Sequence, residues 1–117
     1  MGERAPLVLR DVSKVYGTGD AKVRAVSQAA LTVADREIVA IIGPSGSGKT
    51  TLLSIAGCLL RPTSGSVLVL GEEVTRLSEL QLGSFRLRHV GFVCQAFNLL
   101  PALSARENIE ITLNLAG

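Results

Sequence analysis

Eight consecutive residues carry types and spacing that can do chemistry: Gly43, Pro44, Ser45, Gly46, Ser47, Gly48, Lys49 and Thr50. Gly43, Gly48, Lys49 and Thr50 satisfy the pattern G-x-x-x-x-G-K-[ST]. The chemistry is capture of a nucleoside triphosphate through its phosphates. Glycines let backbone N–H groups curl around phosphate oxygens with no Cβ in the way. A helix opening at the end of such a loop adds unpaired N–H donors and the positive end of its dipole. Lys49 supplies a point charge for the β- and γ-phosphates, and the Thr50 hydroxyl is a ligand for Mg²⁺. Thr51 is placed to reach the α-phosphate side. The bland alternative is an ordinary Gly/Ser-rich turn, which would match the pattern by chance about once in a few hundred chains of this length.

A phosphate loop of this kind needs a buried strand before it and an apolar helix after it, and the sequence supplies both. Ile38-Val39-Ala40-Ile41-Ile42 is a continuous apolar run, as expected of a strand covered on both faces. Leu52, Ile55, Ala56 and Leu59 recur at helical spacing, and the breakers Arg61-Pro62-Thr63-Ser64-Gly65 end that helix. Upstream, a strand is predicted from Leu7 toward Tyr16, a turn at Gly17-Thr18-Gly19-Asp20, a second strand over Val23 to Val33, and a short turn at Asp35-Arg36. Downstream come a short strand, Val67 to Leu70, closed by Gly71, and another from Val90 to Cys94. Ser78 with Gln81, and Ser104 with Glu107, read as capping boxes opening two helices, one through about Arg88 and one running to the end of the chain. The pattern is α/β, with antiparallel strands flanking one strand–loop–helix unit.

Bulk composition fits one globular domain. The chain has 117 residues, 47% of them hydrophobic and 19% charged. Its net charge of +2 is too small to argue for nucleic acid or an anionic membrane surface, and its nine Arg and three Lys form no basic run. Cys58 and Cys94 lie in apolar stretches outside any CxxC or Cys/His cluster, so zinc is not indicated; both read as small buried hydrophobes in a reducing cytosol. The residues Met1 to Pro6 have no apolar signal-peptide core, and no apolar stretch reaches the roughly 20 residues that cross a bilayer. These features predict a soluble, cytoplasmic chain unless a partner holds it at a membrane.

The class of phosphate-loop protein follows from further stretches. No Lys follows Lys49, so the Asn-Lys-x-Asp motif of a GTPase is absent, whereas a small-molecule kinase stays open on these residues alone. The run from Gly43 to Leu53, however, resembles the phosphate loop of ABC transporter ATP-binding subunits. Val15-Tyr16-Gly17 is similar to that family's adenine-stacking loop, and Arg61 to Val67 to its post-helix turn. Gly91 to Pro101, which contains Gln95, resembles its Q-loop. The last stretch and Tyr16 to Asp20 are most similar to the lipoprotein-releasing and macrolide-export branch. The likeness runs from about Leu7 to Leu115. It implies an ATPase-type phosphate-loop core whose sheet is truncated before its second half. Mg²⁺ and ATP would be bound, with Tyr16 stacking on adenine and Gln95 reaching the metal, the attacking water and a membrane permease. A head-to-tail dimer at the cytoplasmic face of the inner membrane is also implied. Arg36 departs from the Gly usual in the turn before Glu37, which predicts strain if that turn needs positive φ; Cys94 stands where an aromatic is more usual.

Other features of the family are missing from these residues. Phosphoryl transfer needs a carboxylate to hold the metal and usually a second to orient water. All three aspartates, Asp11, Asp20 and Asp35, precede the loop. Val67 to Glu72 is the best decoy for a metal-holding strand, but it is short and ends in a turn. Neither Leu-Ser-Gly-Gly-Gln nor a late switch histidine occurs, and His89, the only histidine, precedes the Q-loop strand and reads as a partly exposed structural residue. The whole chain thus reads as part of one ATP-binding domain. By itself it is expected to turn over little or no ATP, and a non-catalytic nucleotide-binding piece is the rival reading.

Overall fold

The computed structural model describes residues 5–93 and 101–116. Its frame is a four-stranded antiparallel sheet in the order β2-β1-β3-β4, with β1 at Leu7–Tyr16, β2 at Val23–Val33, β3 at Ser64–Val69 and β4 at Glu72–Glu73. β1 and β2 follow their Val, Leu and Thr content and pair from Leu7↔Val33 to Tyr16↔Val23. The pairing breaks near Asp11 and Gln28, where positive φ values of 49° and 47° mark bulges. The Ser13 hydroxyl, itself buried, accepts a hydrogen bond from the Gln28 N–H at 2.9 Å and so satisfies one donor that the irregular ladder frees.

Three α-helices, α1 at Lys49–Ala56, α2 at Glu79–His89 and α3 at Ala105–Ala116, and two single 3-10 turns, at Gly19–Ala21 and Val74–Arg76, accompany the sheet. Both capping boxes form. At α2 the Ser78 Oγ accepts from the Gln81 N–H at 3.2 Å while the Gln81 Oε1 accepts from the Ser78 N–H at 2.9 Å. At α3 the same exchange links Ser104 and Glu107 at 3.1 and 2.9 Å. α1 ends earlier than its apolar spacing predicts, because Cys58 turns to φ 65° just after Gly57. One sheet face, α1 and α2 enclose the core of Leu9, Val12, Val26, Ile55, Cys58, Val67, Val69, Val74 and Leu82. Burial pushes the Cys58 thiol above its ordinary pKa, with Arg86 pulling weakly the other way.

The strand reading changes in four places. β3 starts at Ser64, inside the cluster of breakers, because Ser64 pairs with Ser13 and Ser66 with Arg10. β4 was not anticipated: Leu70 and Gly71, at φ 52° and 83°, make a two-residue turn that pairs Glu72 with Val69. The run Ile38–Ile42 precedes the loop as expected but joins no ladder among the described residues. Val39 and Ile41 line a pocket with Leu53 of α1, whereas Ile38 and Ile42 are 97% and 91% exposed. A strand exists only through a neighbour's main chain, and none reaches this segment. Val90 to Val93 likewise form no strand, and Cys94 lies outside the described residues.

Candidate nucleotide-phosphate site

Gly48 decides where the loop can sit. It is the N-cap of α1, at φ 94°, and a Cβ built there would stand 2.3 Å from the carbonyl oxygen of Ala25 in β2. Only glycine tolerates both the left-handed backbone and that approach. The loop therefore rests directly on the edge strand of the sheet. It is shaped from within by a turn, the Ser47 N–H donating to the Pro44 carbonyl at 3.2 Å.

Helix α1 then leaves the loop with its first backbone bond from Leu52 N–H to Gly48 carbonyl, 2.9 Å. The N–H groups of Lys49, Thr50 and Thr51 precede that bond, so they have no helical carbonyl to reach and point their donors out of the helix start. No side chain caps them. Lys49 folds back over the loop: its Nζ donates to the carbonyl of Gly43 and, at 2.9 Å, to that of Pro44. An ammonium held by two carbonyls is ready to exchange them for phosphate oxygens, which are charged and stronger acceptors.

These groups border a cavity of about 510 Å³, lined by Val23, Arg24, Ala25, Ser45, Gly46, Gly48, Lys49, Thr50 and Thr51. Six of the nine positions expected from the sequence, Ser45, Gly46, Gly48, Lys49, Thr50 and Thr51, thus share it; Gly43, Pro44 and Ser47 form the body of the loop behind. Among the described residues no carboxylate lines it. For Mg²⁺, a hard cation that favours oxygen ligands and keeps several waters, the Thr50 hydroxyl is a fitting donor, with bound phosphates completing the set. Among the described residues no cluster of three His, Cys, Asp or Glu side chains could hold a metal by itself. Gln95 lies outside the described residues.

Tyr16 ends β1 half-exposed, and its ring has the Lys14 Nζ 5.3 Å above its centroid. It does not line the cavity, but its register partner Val23 does. The end of β1 is anchored by the turn after α1. The Val15 N–H donates to Thr63 Oγ1 at 2.9 Å, the Thr63 N–H to the Ser13 carbonyl at 2.8 Å, and Lys14 Nζ to the Arg61 carbonyl at 3.0 Å. Sequence reasoning missed Val23, Arg24 and Lys14 as neighbours of the site. The hairpin register set by Gly17 to Lys22 would have found Val23 opposite Tyr16. His89 is exposed with its ring against Phe85, centroids 4.6 Å apart, away from the loop.

Comparison with known proteins agrees with this architecture. The family model described as ABC transporter matches residues 26–116. An uncharacterized ABC transporter ATP-binding protein of Thermotoga maritima is 52% identical over 109 residues, which are 93% of this chain and 47% of that protein. The lipoprotein-releasing system ATP-binding protein LolD of Geobacter metallireducens is 48% identical, over 95% of this chain and 49% of its own length. The macrolide export ATP-binding/permease protein MacB of Hyphomonas neptunium is 46% identical over 96% of this chain and 18% of its own. Among solved structures, a dimeric post-hydrolysis state of the ATP-binding cassette MJ0796, bound to ADP and Pi, superposes with a TM-score of 0.89 at 40% identity. It is covered over 48% of its chain, and this chain over 95%. The chain thus spans about half the length of LolD and of the Thermotoga protein. Because the match takes in the loop, the helix it opens and the flanking sheet together, the chain belongs to the ABC transporter family.

Proposed function

We propose that the chain binds Mg-ATP through residues 43–51 as the ATP-binding part of a membrane transporter, in the service of export or lipoprotein release. The observation that carries the proposal is the loop itself. Gly48 is packed on Ala25, no side chain caps the α1 N–H donors, and among the described residues Lys49 is held by the carbonyls of Gly43 and Pro44 alone. Val23 offers an apolar surface at the sheet end of the cavity and Tyr16, its register partner just outside the lining, an aromatic one, so that a purine base would stack there and the phosphates would run toward Lys49. Gln95 is proposed as a second contact to Mg²⁺ and as the point near which a membrane permease docks. The relatives are named for lipoprotein release and macrolide export, which supports a permease partner, a dimer of ATP-binding subunits and a peripheral position on the cytoplasmic face of the inner membrane. No helix of the described residues is long and apolar enough to cross a membrane.

A second reading has its own observation. Among the described residues the cavity holds no carboxylate, and no Asp follows Asp35, so the 117 residues alone are proposed to bind the nucleotide with little turnover. Calorimetry with ATP and Mg²⁺ tests the binding claim. Lys49→Ala removes a charge-assisted contact of about 1.5–3 kcal/mol, so affinity is expected to fall at least about tenfold. Equal affinity in the two proteins would refute a functional phosphate loop.

A further inference from the structure

Arg24 shares the phosphate cavity with Lys49, and nothing in the loop motif accounts for it. It is exposed at the start of edge strand β2, between Val23, the register partner of Tyr16, and Ala25, whose carbonyl abuts Gly48. The other basic side chain of the cavity is occupied: Lys49 donates to two loop carbonyls. Arg24 has no ion-pair or hydrogen-bond partner among the described residues, whereas Arg36, Arg61, Arg76 and Arg106 each meet a carboxylate. Among the described residues, the cavity is thus bordered by two basic residues, Arg24 and Lys49, and by no acidic one.

An ordinary edge-strand arginine, solvated and indifferent, would not need to border this cavity. We infer that Arg24 is a further binding residue of the nucleotide site, its guanidinium taking the α-phosphate at the base-side end; this rests on the Mg-ATP reading above. Position decides which phosphate. The loop and Lys49 occupy the far end, for the β- and γ-phosphates, and Tyr16 with Val23 marks the end for the base. Arg24 lies between Val23, at the base end, and Ala25, against which Gly48 of the loop packs. A planar fork of donors matches two oxygens of one phosphate, which a lysine point charge does not.

The test is calorimetry of the whole chain with Mg²⁺ and either ATP or ADP, for the parent protein, Arg24→Ala, Arg24→Lys and Lys49→Ala. Arg24→Ala is expected to weaken ATP and ADP by the same factor, about tenfold, because both carry an α-phosphate. It should also flatten the salt dependence of binding. Arg24→Lys is expected to restore part of the loss. Lys49→Ala is expected to harm ATP more than ADP. Arg24 is exposed, and an unchanged circular dichroism spectrum checks that its variants fold. Unchanged affinities in Arg24→Ala, with binding still lost in Lys49→Ala, would overturn the role of Arg24 and leave the nucleotide site standing. A loss confined to ATP would overturn the α-phosphate assignment. A parent chain that binds neither nucleotide would remove both readings together.

Discussion

Arg36 sits at φ 62°, inside the turn that the Glu37 N–H closes on the Ala34 carbonyl at 3.2 Å. The Glu37 carboxylate also accepts from the Ala34 N–H at 2.8 Å, so the turn is held from both sides. Left-handed backbone costs a residue with a Cβ about 1–2 kcal/mol. The Arg36 side chain returns little, since among the described residues its carboxylate contact is Asp35 alone, at 3.9 Å, and both are exposed. Arg36→Gly should therefore raise stability by about 0.5–1 kcal/mol, after the extra freedom that glycine gives the unfolded chain. Urea unfolding reads this as a higher midpoint at constant slope, and a lower midpoint would show that the arginine does something the turn geometry hides. The strain was legible through the resemblance, because Arg36 stands where that family usually has Gly, and the positive φ of 62° that the strain required is present. Arg24 was not legible, because its meaning comes from the register that sets β2 against the loop. A motif is local in the chain, whereas a cavity wall is not.

Helix starts were the best-read elements. Ser78 with Gln81 and Ser104 with Glu107 form both of their reciprocal bonds, since a cap is decided within four residues. The α2 cap matters beyond its own helix. Arg61, in the turn after α1, donates to the Glu79 carboxylate at 2.6 Å and to the Thr75 carbonyl at 3.3 Å, tying that turn to the start of α2. The same turn anchors β1 beneath Tyr16 through Thr63. Ser78→Ala should cost about 1 kcal/mol in thermal or urea unfolding. Ser78→Asp, which keeps an acceptor at the cap, should recover most of it, and equal losses in both would show that the hydroxyl does not cap α2. Strand ends were read less well. β3 begins among residues that look like breakers, and the β3–β4 turn uses Leu70 where Asn or Gly is usual. Strand bounds are set by partners distant in sequence, which no local window contains.

At the scale of the whole molecule, the sequence reading of Ile38 to Ile42 as a strand covered on both faces meets a structure in which one face is bare. Residues apolar on alternate sides predict two covers. Here Leu53 of α1 shares a pocket with Val39 and Ile41 and shields that side in part, while Ile38 and Ile42 face solvent. The main chain of the segment is also unpaired among the described residues. An extended apolar stretch with free N–H and C=O groups is a template for another strand, and each large aliphatic side chain that gains full cover contributes about 1.5–3 kcal/mol. The 117-residue chain is therefore expected to self-associate through this segment. Sedimentation velocity should show a mass that rises with protein concentration. The double variant Ile38→Lys and Ile42→Lys places charge on the bare face and should return the chain to a monomer. Its helices and sheet should persist by circular dichroism, because neither side chain belongs to the buried core. Added ATP should not reproduce that effect, since the phosphate cavity is lined by other residues. If the parent chain stays monomeric at every concentration, or if the double variant associates as strongly as the parent, then this segment is not the exposed adhesive surface that its side chains describe.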